Sequence, residues 1–374
     1  MQRLKKKEFK RLFKKKRQHN CRLVNNSIKT KLELVKNYNS LDSSYENNQE
    51  NKSSSTIDQY LYGTEGDNTY QFGAGFDVID YSYLPRSISL VRGGTVNKGV
   101  LGTDTFIDFY DKIIATNNSN DWIDGISNGG VIADLEINLS KGTLDINNLP
   151  GIGSISSLIE KFENISASNN SDNLIGNSSN NKILGNQGND YIFGKRGKDN
   201  IFGGDGNDVL KGGRGNDKLF GDAGDDLIEG GLGRDILNGG MGADTFIYKK
   251  AKDSRLNNKK DMNKADWIKD FNTDEDKIYF SEAKEKQTLM NLGELDYLSA
   301  KSINKALEEN SNKDFNTICF NVISSNKTFL AINGSGLGFQ GKNDLLLDIT
   351  GYTGELENIN ILSTGEFTNS NLVV

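Results

Sequence analysis

Over residues 176–248 a single apolar position returns every ninth residue: Ile183, Ile192, Ile201, Leu210, Leu219, Ile228, Leu237 and Phe246. The places beside it hold polar side chains such as Lys182, Lys211, Lys218, Glu229 and Asn238. Successive strand residues point to opposite faces, so this spacing predicts a three-residue strand with its middle side chain inward, followed by a six-residue polar turn. Two nine-residue blocks then make one coil of a flattened solenoid, with the strands of successive coils about 4.8 Å apart. From about residue 57 to 166, runs such as ISLVRGG, DTFIDFYDKIIAT and ADLEINLS alternate with Gly, Asn and Ser turns and predict further short strands. Within that stretch GTEGDNTYQ (63–71) and FGAGFDVID (72–80) stand in register as two degenerate blocks, with Gly66, Gly75 and Asp77 in phase. The expected fold class is all-β, a parallel β-roll flanked by other short-strand regions.

The turns carry the candidate chemistry. All eight blocks open on glycine (Gly176, Gly185, Gly194, Gly203, Gly212, Gly221, Gly230 and Gly239), and all but the first, which has Ser179, repeat glycine at the fourth place. At the sixth place stand Asn181 and then Asp190, Asp199, Asp208, Asp217, Asp226, Asp235 and Asp244, while a weaker preceding block supplies Asp172 and Leu174. Glycine permits positive φ, which lets a turn gather carbonyl oxygens around one centre, and the aspartate adds a carboxylate there. Such an oxygen set, without His or Cys, suits a hard cation, and the ligand number available from two stacked turns favours calcium over magnesium.

Stacking sorts the acids into two columns, Asp172–Asp190–Asp208–Asp226–Asp244 and Asn181–Asp199–Asp217–Asp235. Neighbouring acids make four full sites in the first column and two in the second, about six calcium ions, with Asn181 leaving a weaker site beside Asp199. Without metal, like charges about one strand spacing apart repel. One apolar side chain per short strand offsets little of that, or of the entropy lost in ordering glycine. Metal binding and folding are therefore expected to be one event. A solenoid whose aspartates only ended turns would not need an acid at the sixth place of seven blocks in eight.

These blocks resemble the RTX nonapeptide repeat, GGxGxDxUx, the unit of a calcium-binding β-roll. GGRGNDKLF (212–220) and GGDGNDVLK (203–211) match every defined position; GKRGKDNIF (194–202) places Lys195 second, and GNSSNNKIL (176–184) lacks the fourth glycine and the acid. The resemblance implies that the sixth-place aspartates and backbone carbonyls of the turns are the ligands. Farther on, ADTFIYKKAKDS and DWIKDFNTDEDKIYFS resemble the C-terminal domain of serralysin-type proteins at Asp244, Phe246, Asp253, Ser254, Asp266, Ile268, Asp270, Phe271, Asp276 and Ile278. TFLAINGSG and LLLDITGY look like the remaining strands of that domain, and an open solenoid end needs such a cap. The closing Asn371, Leu372, Val373 and Val374 resemble the family's uncleaved type I secretion signal, with Asn where the family has an acid. This implies the type I secretion machinery as a partner and an extracellular or cell-surface location.

The expected division is a basic tail and polar linker (1–56), a β-rich flank (57–166), the roll (167–248) and a capping and secretion-signal region (249–374). The net charge of −6 conceals an asymmetry: residues 1–36 hold fourteen Lys/Arg against Glu8 and Glu33, so they sum to +12 and the remainder to −18. The tail, either solvated or a short amphipathic helix with Leu4, Phe9, Leu12 and Phe13 on one side, is expected to contact anionic membrane or polyanions rather than a specific nucleic acid. No apolar run follows its positive charges, so a cleaved N-terminal signal is not the expected export route. Cys21 and Cys319 stand too far apart in sequence and context to suggest a disulfide framework.

The same inventory excludes function classes. Zinc proteolysis through HExxH needs two histidines, and this chain has only His19, inside the tail. A Ser-His-Asp triad is disfavoured for the same reason, and long apolar segments of the kind pore formers use are missing. A secreted calcium-binding protein of structural or adhesive role, not an enzyme, is the expected function. The competing expectation is a carboxylate-based, polysaccharide-acting site somewhere in residues 57–166.

Overall fold

A computed structural model describes residues 58–91, 95–106, 110–125, 134–149, 153–254, 265–283, 289–309, 317–332, 339 and 344–364. The basic tail, the polar linker and Asn371–Val374 lie outside the described residues. The nine-residue blocks alternate between two parallel sheets. One ladder runs Asn173–Ile175, Tyr191–Arg196, Val209–Arg214, Leu227–Leu232 and Thr245–Tyr248; the other runs Asn164–Ser166, Lys182–Gln187, Asn200–Asp205, Lys218–Ala223 and Ile236–Met241. The register is eighteen residues, so Ile183 pairs with Ile201, Leu219 and then Leu237. Across the roll, Leu174, Ile192, Leu210, Ile228 and Phe246 form the second file. All nine side chains are fully buried, each contributing on the order of 1.5–3 kcal/mol. On the outer surface the Phe202 and Phe220 rings stack 4.8 Å apart and nearly parallel, one strand spacing.

The strands are longer than the apolar spacing predicts. The seven from Lys182–Gln187 to Ile236–Met241 each cover six residues, the three around the apolar position and the first three of the next block. The pairing skips the first-place glycine and resumes after it, with Leu184 beside Phe202 and then Asn186 beside Gly204. The true turn is therefore only the fourth to sixth places. Backbone pairing continues through the glycines because they lack side chains that would have to be packed on either face.

The same stacking continues beyond the repeats at both ends. Tyr60–Tyr62 pairs with Val78–Asp80 at the eighteen-residue register, and Val78–Asp80 with Lys112–Ile114. Parallel ladders cross residues 166 and 248 without a break, since Asn164–Ser166 pairs with Lys182–Gln187 and Thr245–Tyr248 with Lys277–Phe280. One apolar core runs from Tyr70 to Ile361. Beyond the roll the second sheet turns antiparallel through Leu345–Asp348, Lys327–Ile332 and Thr317–Val322. The helix Ala300–Glu309 buries Ile303 and Leu307 in a second apolar cluster with Phe320, Phe329 and Leu346. This end of the solenoid thus changes pairing direction and gains a helix, covering apolar surface that another coil would otherwise cover.

Candidate metal centre

The sixth-place aspartates form two buried ladders, one on each edge of the roll. On the first, the backbone N–H of Asp172 donates to Asp190 Oδ1 at 2.7 Å, Asp190 to Asp208 at 2.7 Å, Asp208 to Asp226 at 2.7 Å and Asp226 to Asp244 at 3.0 Å. On the second, Asn181 donates to Asp199 at 2.8 Å, Asp199 to Asp217 at 2.9 Å and Asp217 to Asp235 at 2.8 Å. One oxygen of each carboxylate is thereby committed to the fold. The columns expected from the nine-residue period are present, yet neither ends where the repeats end. Asp244 donates to Asp276 Oδ1 at 3.0 Å and Asp235 to Asp266 Oδ1 at 2.8 Å.

The second oxygen separates the carboxylates into two kinds. Oδ2 of Asp190, Asp199, Asp208, Asp217, Asp226, Asp235 and Asp266 is buried with no hydrogen-bond partner. Burying even one unpartnered polar atom costs a few kcal/mol, so a file of them calls for a ligand. By contrast, the N–H of the second-place residue caps the sixth-place side chain in four other blocks: Gly73 to Asp77, Ser168 to Asp172, Asn177 to Asn181 Oδ1 and Asn272 to Asp276. Backbone conformation at the second place separates these capped blocks from the contiguous blocks of the roll. Asn186, Lys195, Gly204, Gly213, Asp222, Gly231 and Gly240 all have positive φ, between 76° and 116°, whereas Gly73, Ser168, Asn177 and Asn272 do not. The left-handed second place occurs only where the first and fourth places are both glycine.

The first-place glycines, expected to supply positive φ, do not adopt it; they are glycine for space. A Cβ on Gly185 would lie 2.3 Å from Asp190 Oδ2 and 2.4 Å from the carbonyl oxygen of Gly203 in the next coil. The same cradle recurs at Gly194 against Asp199 and Gly212, at Gly203 against Asp208 and Gly221, at Gly212 against Asp217 and Gly230, and at Gly221 against Asp226 and Gly239. Gly230 and Gly239 stand equally close to Asp235 and Asp244. The unpartnered Oδ2 atoms of Asp190, Asp199, Asp208, Asp217 and Asp226 therefore each share with a backbone carbonyl a pocket that any side chain would fill. No group of three or more His, Cys, Asp or Glu suited to a metal occurs among the described residues, which fits ligation shared between one carboxylate per turn and main-chain oxygens. These donors are hard, and two adjacent turns offer the oxygen count that calcium needs.

Electrostatics point the same way. Burial pushes the carboxyls of Asp190 and Asp226 up to about 8, with neighbouring acids adding to the effect. Burial likewise takes Asp199, Asp208, Asp235 and Asp244 up to about 7, and Asp217 to about 6. Asp266, buried beside Asp235, is also pushed well above the usual carboxylate range. A bound cation would remove this penalty.

Two sequence expectations change here. Asp172, counted as the first full ligand, has both oxygens engaged, by the Leu135 N–H at 2.6 Å and by the Ser168 N–H and hydroxyl. Asp266, seen only as part of a capping domain, behaves as a roll aspartate. A third feature went unseen: GVLGTDTFI (99–107) carries Gly99, Gly102, Asp104 and Phe106 in repeat phase, much as GGMGADTFI does, and Asp104 stacks on Asn68 of the 63–71 block. The signal was legible, but the single copy stands apart from the contiguous run.

No curated protein matches the chain. The family model for the RTX calcium-binding nonapeptide repeat matches it in four copies, at residues 60–79, 166–201, 193–228 and 212–246. The aspartate ladders, glycine cradles and parallel coils thus coincide with RTX calcium-binding nonapeptide repeats, which the chain carries at residues 60–79 and 166–246.

Proposed function

We propose that the roll takes up about six calcium ions between stacked turns, each ion held by carboxylates of two successive coils and by main-chain oxygens of the glycine turns. The pairs are Asp190–Asp208, Asp208–Asp226, Asp226–Asp244, Asp199–Asp217, Asp217–Asp235 and Asp235–Asp266. The pair Asp172–Asp190 drops out because Asp172 is already satisfied, and Asp235–Asp266 takes its place. The observation that carries this reading is the file of buried Oδ2 atoms without partners, which at Asp190, Asp199, Asp208, Asp217, Asp226 and Asp235 lie against a first-place glycine. The bound ion supplies positive charge; the residues of this chain supply its position and exclude water.

Calcium-dependent order is most useful where calcium differs across a membrane. Sites of the roughly 10⁻⁴–10⁻³ M class stay empty in cytosol and fill outside. The protein on this reading is secreted or displayed at the cell surface through a type I route, folds there on calcium binding, and has a structural or adhesive role without catalysis. The tail of residues 1–36, at +12, then tethers it to anionic membrane or polyanion. The test is to express the full chain with its own export system, locate it in medium or on cells, and repeat with residues 1–36 removed. The reading holds if exported protein is calcium-loaded and the deletion releases it from the surface. Cytosolic retention, or hydrolysis of protein or polysaccharide by the purified chain, would overturn it.

A further inference from the structure

The block 63–71 and the block 99–107 are neighbours in one stack, with Asn68 beside Asp104, Thr69 beside Thr105 and Tyr70 beside Phe106. Their contact repeats the roll's device: the backbone N–H of Asn68 donates to Asp104 Oδ1 at 3.1 Å, and Gly102, at φ 103°, would bring a Cβ to 2.8 Å from the Gly66 carbonyl oxygen. In the roll the second- and fourth-place carbonyls likewise face the next coil. A Cβ on Gly204 would lie 1.8 Å from Asn186 O, and one on Gly206 would lie 2.0 Å from Gly188 O. Here the corresponding oxygens, Thr64 O and Gly66 O, both accept from Lys98 Nζ at 2.6 Å. The same ammonium bonds Asp104 Oδ1, and the Tyr81 hydroxyl donates to Asp104 Oδ2 at 2.7 Å. Lys98 is 1 % exposed and Asp104 is fully buried.

We propose that Lys98 is a resident cation which takes the place of calcium between these two RTX blocks, so that the first repeat of the chain is ordered without metal. Three ammonium donors meet the second- and fourth-place carbonyls, which the roll likewise turns toward the adjacent coil, and the Asp104 carboxylate. The charges match as well. A roll site pairs two carboxylates with a divalent ion; here Asn68 replaces one of the acids, and the remaining carboxylate pairs with a monovalent ammonium. Neither Asp104 oxygen is left bare, in contrast to Asp190, Asp199, Asp208, Asp217, Asp226 and Asp235. A buried charge held this way is costly to strand, since removing one partner of a buried pair is far more damaging than replacing both.

This inference rests on calcium binding by the roll, and one experiment reads the two separately. Hydrogen exchange of the full-length protein is followed with chelator and with 10 mM calcium, alongside native mass spectrometry of the calcium-loaded chain. In chelator, wild-type amides of residues 68–70 and 103–106 should stay protected at least tenfold more than those of residues 182–246. Lys98→Ala should lose that difference, recover it in calcium, and bind one ion more than wild type. Should Lys98→Ala stay unprotected even in calcium, Asn68→Asp with Lys98→Ala, which restores the second carboxylate, must regain protection on calcium addition. The proposal is overturned if Lys98→Ala remains as protected in chelator as wild type, or if neither variant gains an ion. If instead residues 182–246 ignore calcium in wild type, it is the reading of the roll that fails.

Discussion

Asp217 lies mid-column, its Oδ1 accepting from Asp199, its own N–H donating to Asp235, and its Oδ2 without a partner. Asp217→Asn keeps an oxygen for the Asp199 bond but removes the charge shared by two ions. A site with a dissociation constant of about 10⁻⁴–10⁻³ M contributes roughly 1.4–2.7 kcal/mol at about 10 mM calcium, by RT ln(1 + [L]/Kd). Losing two sites therefore costs about 3–5 kcal/mol in calcium and little in chelator. Asp172→Asn is the control: its carboxylate is occupied by Leu135 and Ser168, so it should forfeit only a hydrogen bond, about 1 kcal/mol, with or without calcium. Urea unfolding at several calcium concentrations measures the energies, and native mass spectrometry counts the ions. If Asp217→Asn binds as many ions as wild type, or if Asp172→Asn loses as much calcium-dependent stability, then unpartnered Oδ2 atoms are not what marks a site.

Three more outcomes follow from the same geometry. Gly221→Ala would place a Cβ 2.0 Å from Asp226 Oδ2 and 2.4 Å from Gly239 O, and so should weaken calcium uptake and cost about 1–3 kcal/mol; Gly293→Ala, at φ 71° with open space around it, should cost only the left-handed penalty of about 1–2 kcal/mol and leave calcium uptake unchanged in titration calorimetry. Because burial raises the folded-state carboxyls to about 7–8 at Asp190, Asp199, Asp208, Asp226, Asp235 and Asp244, the metal-free fold holds protons that the unfolded chain has released. Its stability should be greatest below about pH 4 and fall as pH rises toward 8, so circular dichroism in chelator should show more β-structure at pH 5 than at pH 8, and calcium uptake at pH 6.5 should release protons. Ile228→Ala, between Leu210 and Phe246 in the inner file, should cost about 2–5 kcal/mol with calcium present, read by urea unfolding.

The sequence by itself determined the coil. A nine-residue period with one apolar place fixes a two-sheet roll, because only stacking lets a single side chain per strand be buried, and the eighteen-residue register follows from strand alternation. It also determined the two acid columns and the hardness of their donors. What the period could not decide is which carboxylates are left bare. Gly73 caps its aspartate while Lys195 does not, so residue type at the second place is not the rule; the backbone there turns left-handed only in company with glycines at the first and fourth places. The ends of the columns were equally hidden, since Asp266 and Asp276 reach the ladders from 31 and 32 residues away, across insertions that break the period. Nor could spacing reveal Lys98, whose ammonium finds Thr64 O and Gly66 O across 34 and 32 residues. Local propensity writes the repeat, but hydrogen-bond satisfaction and charge pairing are settled between coils, and only the folded chain brings those partners together.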